Sequence, residues 1–177
     1  FNLVAGDFHP SAGTIEVNHP LEVDGAKVYL LGNGYAPVIT VRDSRGDAVY
    51  SDATVFPPQD STYVSQGVVR AVGARPQQLG VQGVLLPTAA RGAPRPTSLF
   101  PDALDPVLLI GVYQGDLGLG SSSPPRSVYQ LDTSRMTQLR TPAGGVFSAA
   151  LRPGQTVKLP DGKGSVTFER LERFAGL

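Results

Sequence analysis

The sequence predicts an all-β fold, an antiparallel sandwich or barrel-like domain with about ten short strands and long Pro/Gly-rich loops. Glycine and proline are frequent, with 21 Gly and 16 Pro among 177 residues. Both residues interrupt helices but are tolerated between short strands. Apolar residues make up 41% of the chain, which is enough to build a core. The length fits a single domain spanning residues 1–177.

Short runs rich in β-branched and aromatic residues recur at intervals of about 12 residues and predict the strands. Residues 14–18 alternate, with Ile15 and Val17 on one face, which is typical of a half-buried strand. Residues 107–112 are the longest apolar run, which suits a buried strand and is too short to span a bilayer. In chain order, the expected strands lie at residues 14–18, 27–31, 37–42, 48–50, 62–72, 79–86, 107–113, 128–131, 146–151, 156–159 and 165–170.

Turn-forming residues separate these strands and define the loops. The Asn-Gly pair within residues 32–34 favours a hairpin between the second and third strands. The only helical turns are expected over residues 133–139, where Met136 and Leu139 are spaced i, i+3. Further turns are expected at residues 42–47 and 160–164, and long loops at residues 89–101 and 121–125.

The charge and cysteine content exclude several classes of protein. Fifteen basic residues balance fifteen acidic ones and are scattered, so no basic surface for nucleic acid is expected. Only 17% of the residues are charged, which leaves much neutral surface for a membrane or a partner. The chain has no cysteine, which excludes disulfides, thiolate catalysis, Cys-ligated zinc and iron–sulfur clusters.

No set of residues has the spacing of a catalytic or metal site. The two histidines, His9 and His19, lie near the start of the chain, and no Gly-x-Ser-x-Gly motif is present. Asp102 and Asp105 belong to a Pro-Asp-Ala-Leu-Asp-Pro stretch that is typical of a turn. Glu16 lies near His19, but these two side chains are too few to hold a metal. We therefore expect no catalytic residues and no metal site, and the protein is not expected to be an enzyme.

A series of short strings along the chain is typical of one protein family. The first strings are Val-Asn-His-Pro-Leu at residues 17–21, Gly-Ala-Lys-Val-Tyr-Leu-Leu-Gly at residues 25–32 and Gly-Tyr-Ala-Pro at residues 34–37. Others follow at residues 41–43, 56–60, 65–69, 113–118, 127–132 and 159–162. In this order the strings resemble the ResB family of cytochrome c biogenesis proteins. The resemblance covers nearly the whole chain and is carried by family-specific strings rather than by a chemical signature.

The resemblance implies the large extracytoplasmic domain of a membrane protein. Such a domain lies at the outer face of the cytoplasmic membrane, anchored by transmembrane helices that lie outside this sequence. The implied partners are a CcsA/ResC-type membrane protein, apocytochrome c and a thioredoxin-like reductant of the same pathway. The implied function is to support haem delivery and haem attachment to apocytochrome c, without catalysis by this domain. The thioether bonds use the cysteines of apocytochrome c, which agrees with the absence of cysteine here.

Three residues are candidates for contacts. His19 lies in the string that matches the family and is the candidate haem ligand, since a single imidazole can ligate haem iron. The alternative for His19 is a hydrogen bond to local backbone in the turn before Pro20. Asn18 and Tyr35 are candidates for partner contact. Two other functions stay open, a direct haem-binding domain that uses His19 and a secreted carbohydrate-binding or adhesion-type β-sandwich.

Overall fold

The computed structural model describes residues 2–5, 11–14, 21–23, 26–28, 32–119 and 129–176. The chain divides into two compact units. One unit comprises Phe1–Gly34 with Arg173–Leu177, and the other comprises Tyr35–Glu172. The assignment of residues 1–177 to one domain stays a prediction.

The first unit contains two short antiparallel hairpins. Strand β1 (Asn2–Ala5) pairs with β2 (Ser11–Thr14), and β3 (Leu21–Val23) pairs with β4 (Ala26–Val28). The strand expected at residues 14–18 lies largely outside the described residues, because only Thr14 is described, as the last residue of β2.

The second unit is built from two antiparallel sheets with nine strands among its described residues. The strands are β5 (Gly32–Arg42), β6 (Ala48–Ala53), β7 (Ser65–Ala71), β8 (Gln78–Leu86), β9 (Val107–Gly115), β10 (Met136–Gln138), β11 (Ser148–Leu151), β12 (Gln155–Lys158) and β13 (Ser165–Gly176), of which β5 begins and β13 ends in residues of the first unit. A five-stranded sheet has the order β10-β9-β8-β7, with β11 also paired to β9, and a four-stranded sheet has the order β12-β13-β5-β6. A single 3-10 turn, Pro160–Gly162, precedes the last strand.

Both sheets bury one face in a shared hydrophobic core. In the five-stranded sheet, Val69, Val81 and Val112 lie side by side on three neighbouring strands, and all three are buried. The four-stranded sheet contributes Ile39 and Phe168, among others, to the same core. Alternating apolar residues on two facing sheets are the arrangement of a β-sandwich. The predicted all-β antiparallel sandwich is therefore confirmed.

The ring of Phe56 is buried in this core against two glycines. Gly67 in β7 lies directly opposite Gly83 in β8. A Cβ atom on Gly67 would overlap the Phe56 ring, and a Cβ atom on Gly83 would lie 2.7 Å from two ring atoms. The lack of side chains at these two positions therefore makes room for the aromatic ring.

The turn between β5 and β6 is organised by the buried side chain of Asp43. The Asp43 carboxylate accepts hydrogen bonds of 2.9 to 3.3 Å from three backbone N–H groups, those of Arg45, Asp47 and Arg75. Gly164 packs against this turn, and a Cβ atom there would lie 2.9 Å from the carbonyl carbon of Asp43. The turn expected at residues 42–47 is confirmed.

Two predictions of local structure are wrong because tertiary pairing overrides the local signal. The hairpin expected at residues 32–34 does not form, since Gly32, Asn33 and Gly34 begin the long strand β5. The helical turns expected over residues 133–139 are replaced by strand β10.

A third local prediction, a strand over residues 128–131, is also wrong for its described part. Tyr129 and Gln130 form a turn and a bend, and Leu131 is not in a strand. The Arg70 side chain donates from Nη2 to the Gln130 carbonyl oxygen at 2.7 Å. In a strand this carbonyl oxygen would instead accept a hydrogen bond from the backbone of a neighbouring strand. The loop expected at residues 121–125 lies outside the described residues. Among the residues that are described, no helix is long and apolar enough to cross a membrane.

Candidate functional site

The connection between β8 and β9, residues 87–106, is a loop held by hydrogen bonds around Thr88. The Leu99 N–H donates to the Thr88 carbonyl oxygen at 2.8 Å, and the Leu104 N–H donates to Thr88 Oγ1 at 3.3 Å. Thr88 Oγ1 itself donates to the Asp102 carbonyl oxygen at 2.6 Å. Thr88 is buried, so these bonds are shielded from water and fix the loop in one conformation.

A second set of bonds in the same loop is centred on Ser98, which is also buried. Its Oγ accepts the N–H of Thr88 at 3.0 Å and donates to the carbonyl oxygen of Phe100 at 3.0 Å. The loop expected at residues 89–101 is thus confirmed as irregular chain. It is ordered by side-chain hydrogen bonds to its own backbone together with isolated backbone–backbone hydrogen bonds, not by a regular ladder.

Tyr35 supports this loop from the core. Its hydroxyl donates to the Pro101 carbonyl oxygen at 2.8 Å, and its ring meets the Tyr63 ring edge-on, with the centroids 6.3 Å apart. Tyr35 is only 3% exposed and lies in β5. The structure therefore gives Tyr35 an internal role, and its contact with a partner stays a prediction.

Ion pairs at Asp105 connect the loop with the segment after β11. The Asp105 carboxylate is paired with Arg152, and Arg91 Nη2 lies 3.7 Å from its Oδ2. Exposed ion pairs contribute at most about 1 kcal/mol, so the pairs orient the loop more than they stabilise it. Asp105 is therefore engaged by two guanidinium groups and holds the loop through ion pairs.

Three large apolar side chains of the loop project into solvent, and we refer to them together as the apolar patch. Leu99 and Phe100 are each 56% exposed, and Leu104 is 72% exposed. Arg91 and Arg95 lie in the same loop and are exposed. Because the backbone that carries these side chains is fixed by buried hydrogen bonds, the apolar patch is preorganised for contact with another surface.

A groove of about 430 Å³ crosses the outer face of the five-stranded sheet. Its lining has no charged side chain, and its polar side chains are three glutamines and Tyr129, which can donate and accept hydrogen bonds. Leu131 closes one side, where it packs with Val68 and Leu117. The lining residues are Gln66, Gly67, Val68, Gln82, Gly83, Val84, Tyr129, Gln130 and Leu131.

Two aspartates have lowered pKa values for structural reasons. The hydrogen bond from the Thr62 hydroxyl lowers the pKa of Asp60, and backbone N–H groups add to the effect. The hydrogen bond from the Gly118 N–H, with Arg135 beside it, lowers the pKa of Asp116. Both groups stay charged at neutral pH, and the stability they contribute is lost only as the pH falls through the lowered values. A lowered pKa is the opposite of what a general acid at neutral pH requires.

The residues predicted to bind a cofactor or a partner are not brought together in the described part of the chain. His19 and Asn18 lie outside the described residues, so their roles stay predictions. Within the described ranges, no group of three or more histidine, cysteine or acidic side chains could hold a metal ion. Leu99, Phe100 and Leu104 were not among the residues predicted from the sequence. The available signal was a Leu-Phe pair and a further leucine inside an otherwise Pro-rich loop.

The described residues define a β-sandwich with a preorganised apolar patch and a neutral groove. The ResB-like family model matches residues 3–177. The chain therefore belongs to the ResB-like family, which is associated with cytochrome c biogenesis, and the resemblance noted in the sequence is confirmed. No curated protein and no solved structure matches the chain.

Proposed function

We propose that this chain is the extracytoplasmic, non-catalytic domain of a membrane-bound cytochrome c biogenesis protein. In this role it supports haem delivery and haem attachment to apocytochrome c, together with a CcsA/ResC-type partner. The observation that carries the proposal is the family match over residues 3–177. Membership of this family supports the pathway, and the division of labour between the domain and its partners is our inference.

The structure supports a role in binding other molecules rather than in catalysis. The buried hydroxyls of Thr88 and Ser98 hold a loop that exposes the apolar patch. The carboxylates of Asp43 and Asp105 are used for a turn and for ion pairs. These features suit a domain that positions other molecules, because they present a fixed surface and place the ionisable groups in structural roles.

The proposed location and partners follow from the same role. The domain would lie at the outer face of the cytoplasmic membrane, anchored by transmembrane helices outside this sequence. A thioredoxin-like reductant would keep the cysteines of apocytochrome c reduced for thioether formation. The chain contains no cysteine, so it would not compete in that thiol exchange.

Replacing the sandwich, residues 35–172, by a flexible linker in the membrane-anchored protein tests the proposed function. We expect holocytochrome c to fall to the level of a strain that lacks the whole protein, because the partners lose the surface that positions them. The amount of the CcsA/ResC-type partner, measured by immunoblot, is the control for general loss of the complex. Undiminished holocytochrome c with a normal level of the partner would refute the scaffold role.

Direct binding of haem by this domain is the alternative, and the observation that favours it is the position of His19 in a string shared with the family. Under this alternative, His19→Ala weakens haem binding by at least tenfold and changes the Soret absorbance, because the axial imidazole is lost. The matched control is His9→Ala, which removes the other histidine of the chain. If titration with haemin gives the same spectrum and affinity for both variants and the wild type, His19 is not the ligand.

A further inference from the structure

We propose that the apolar patch is a shallow membrane anchor. Leu99, Phe100 and Leu104 would enter the interfacial layer of a bilayer that carries anionic headgroups, and Arg91 and Arg95 would contact headgroup phosphates. The proposal rests on the membrane location given under the proposed function. It goes beyond that function by identifying the surface of the domain that faces the lipid.

The exposure of the apolar patch supports a membrane anchor. Single exposed apolar residues are normal on protein surfaces, whereas a contiguous apolar patch of about 300 to 600 Å² is often functional. The three side chains of the apolar patch lie within six consecutive residues and are 56 to 72% exposed. The backbone N–H groups of Leu99 and Leu104 both bind Thr88, which brings the two leucines close together.

The rigidity of the loop that carries the apolar patch also supports a membrane anchor. The loop conformation is fixed by the buried hydroxyls of Thr88 and Ser98 and by the hydroxyl of Tyr35 beneath Pro101. The apolar side chains therefore point outward in the unbound domain, and no ordering of the backbone is needed when they meet a surface. Preorganisation of this kind increases affinity for a fixed set of contacts.

The size of the apolar patch favours lipid over a protein partner. Three half-exposed large side chains offer roughly 300 Å² of apolar surface. A stable protein complex buries about 800 Å² on each side, so the apolar patch alone is too small for one. The same area is sufficient for shallow insertion into a bilayer, where a weak anchor adds to other attachments.

The charges around the apolar patch agree with a shallow position in an anionic surface. Arg91 and Arg95 are exposed, and each arginine near such a surface contributes about 1 kcal/mol. Arg91 shares Asp105 with Arg152, so part of its charge is compensated within the protein. Asp102 is exposed between Phe100 and Leu104, and its carboxylate would be repelled by anionic headgroups, which opposes deeper insertion. Insertion would thus be limited to the side-chain tips.

The test uses tryptophan fluorescence, because the chain contains no tryptophan. In Phe100→Trp the single indole reports on the apolar patch, and in Val146→Trp, at a position 50% exposed, it reports on a different part of the surface. The lipid vesicles are phosphatidylcholine alone or phosphatidylcholine with phosphatidylglycerol. We expect a blue shift of the Phe100→Trp emission on the mixed vesicles, with quenching by brominated lipid, and neither effect for Val146→Trp.

Two further substitutions in the Phe100→Trp chain separate the apolar and the electrostatic contributions. Replacing Leu99 and Leu104 by serine should weaken partition into both kinds of vesicle by about tenfold, because two inserted side chains are lost. Arg95→Gln should weaken partition by about fivefold on the vesicles with phosphatidylglycerol and leave it unchanged on phosphatidylcholine alone. All four replaced residues are exposed, so the fold should be retained, and circular dichroism verifies this.

Three results would overturn the anchor. The first is a Phe100→Trp emission that does not change on either vesicle in a folded chain. The second is an equal shift and equal quenching for both tryptophans, which indicates unspecific adsorption. The third is a Phe100→Trp emission that shifts only when the vesicles contain the membrane partner, which indicates that the apolar patch contacts protein. All other measurements use vesicles without partner protein. A negative result would therefore refute the membrane anchor without bearing on the proposed function, which the holocytochrome c experiment tests separately.

Discussion

Replacing Gly67 by alanine should lower the free energy of unfolding by about 3 kcal/mol, near the upper end of what overpacking costs. The added Cβ atom would overlap the ring of Phe56, which is fully buried. Gly83 borders the opposite edge of the same ring, so a shift away from Gly67 pushes the ring toward the backbone of β8. Urea denaturation followed by circular dichroism measures the change.

The matched control for this substitution is Gly73→Ala, just beyond the end of β7. A Cβ atom there would lie 3.9 Å from Val49, which is ordinary contact, and the change should be smaller than about 0.5 kcal/mol. The double variant Phe56→Leu with Gly67→Ala should be less destabilised than the sum of the two single variants, because the smaller side chain relieves the overlap. A Gly67→Ala protein as stable as the Gly73→Ala protein would show that the core accommodates the methyl group.

The second large effect is expected for Gly164→Ala, which should destabilise the protein by about 3 kcal/mol or more. Gly164 has a φ of 131°, a conformation that side chains with a Cβ rarely adopt. The Cβ atom would also overlap the carbonyl oxygen of Arg42 and lie 2.9 Å from the carbonyl carbon of Asp43. These contacts are with backbone, which cannot rotate away as a flexible side chain can.

Gly145→Ala is the control for this position. A Cβ atom on Gly145 would lie 3.6 Å from Thr141 Oγ1, and its φ is not in the positive region. Thermal denaturation should therefore give a clearly lower midpoint for Gly164→Ala and a midpoint close to the wild-type value for Gly145→Ala. Equal midpoints for the two variants would mean that the Asp43 turn moves away from β13 at little cost.

The strands that could be predicted from the sequence are those whose own residues favour a buried strand. The strands expected at residues 79–86 and 107–113 agree with β8 and β9, because both are rich in apolar β-branched residues. The turn at residues 42–47 was predictable from its Asp and Gly residues.

The helical turns predicted over residues 133–139 are wrong because the spacing of the apolar residues fits both a helix and a strand. Met136 and Leu139 are three residues apart, which in a helix would place them on one face. In the structure they lie on opposite sides of the sheet, Met136 against the outer cluster of Val68 and Leu117 and Leu139 in the core. A spacing of three fits both arrangements, and only the pairing of β10 with β9 decides between them.

The candidate site was less predictable than the fold. The loop at residues 89–101 was expected, but the exposure of Leu99 and Phe100 depends on hydrogen bonds that turn the backbone around Thr88. Such bonds join residues ten or more positions apart, and no local periodicity encodes them. Tyr35 was expected to contact a partner, whereas it is buried in the long strand β5 and its hydroxyl donates to the Pro101 carbonyl oxygen.

The pairing of β5 with β13 has a consequence for how the domain folds. These neighbouring strands of the four-stranded sheet are separated by about 120 residues in sequence. Until β13 has been synthesised, β5 lacks one of its two partners and the core lacks Phe168. The nascent chain therefore exposes an apolar strand for most of its synthesis, and the slow formation of such long-range contacts prolongs the exposure. Its yield in the cell should therefore depend on protection of β5 from aggregation until the last strand arrives.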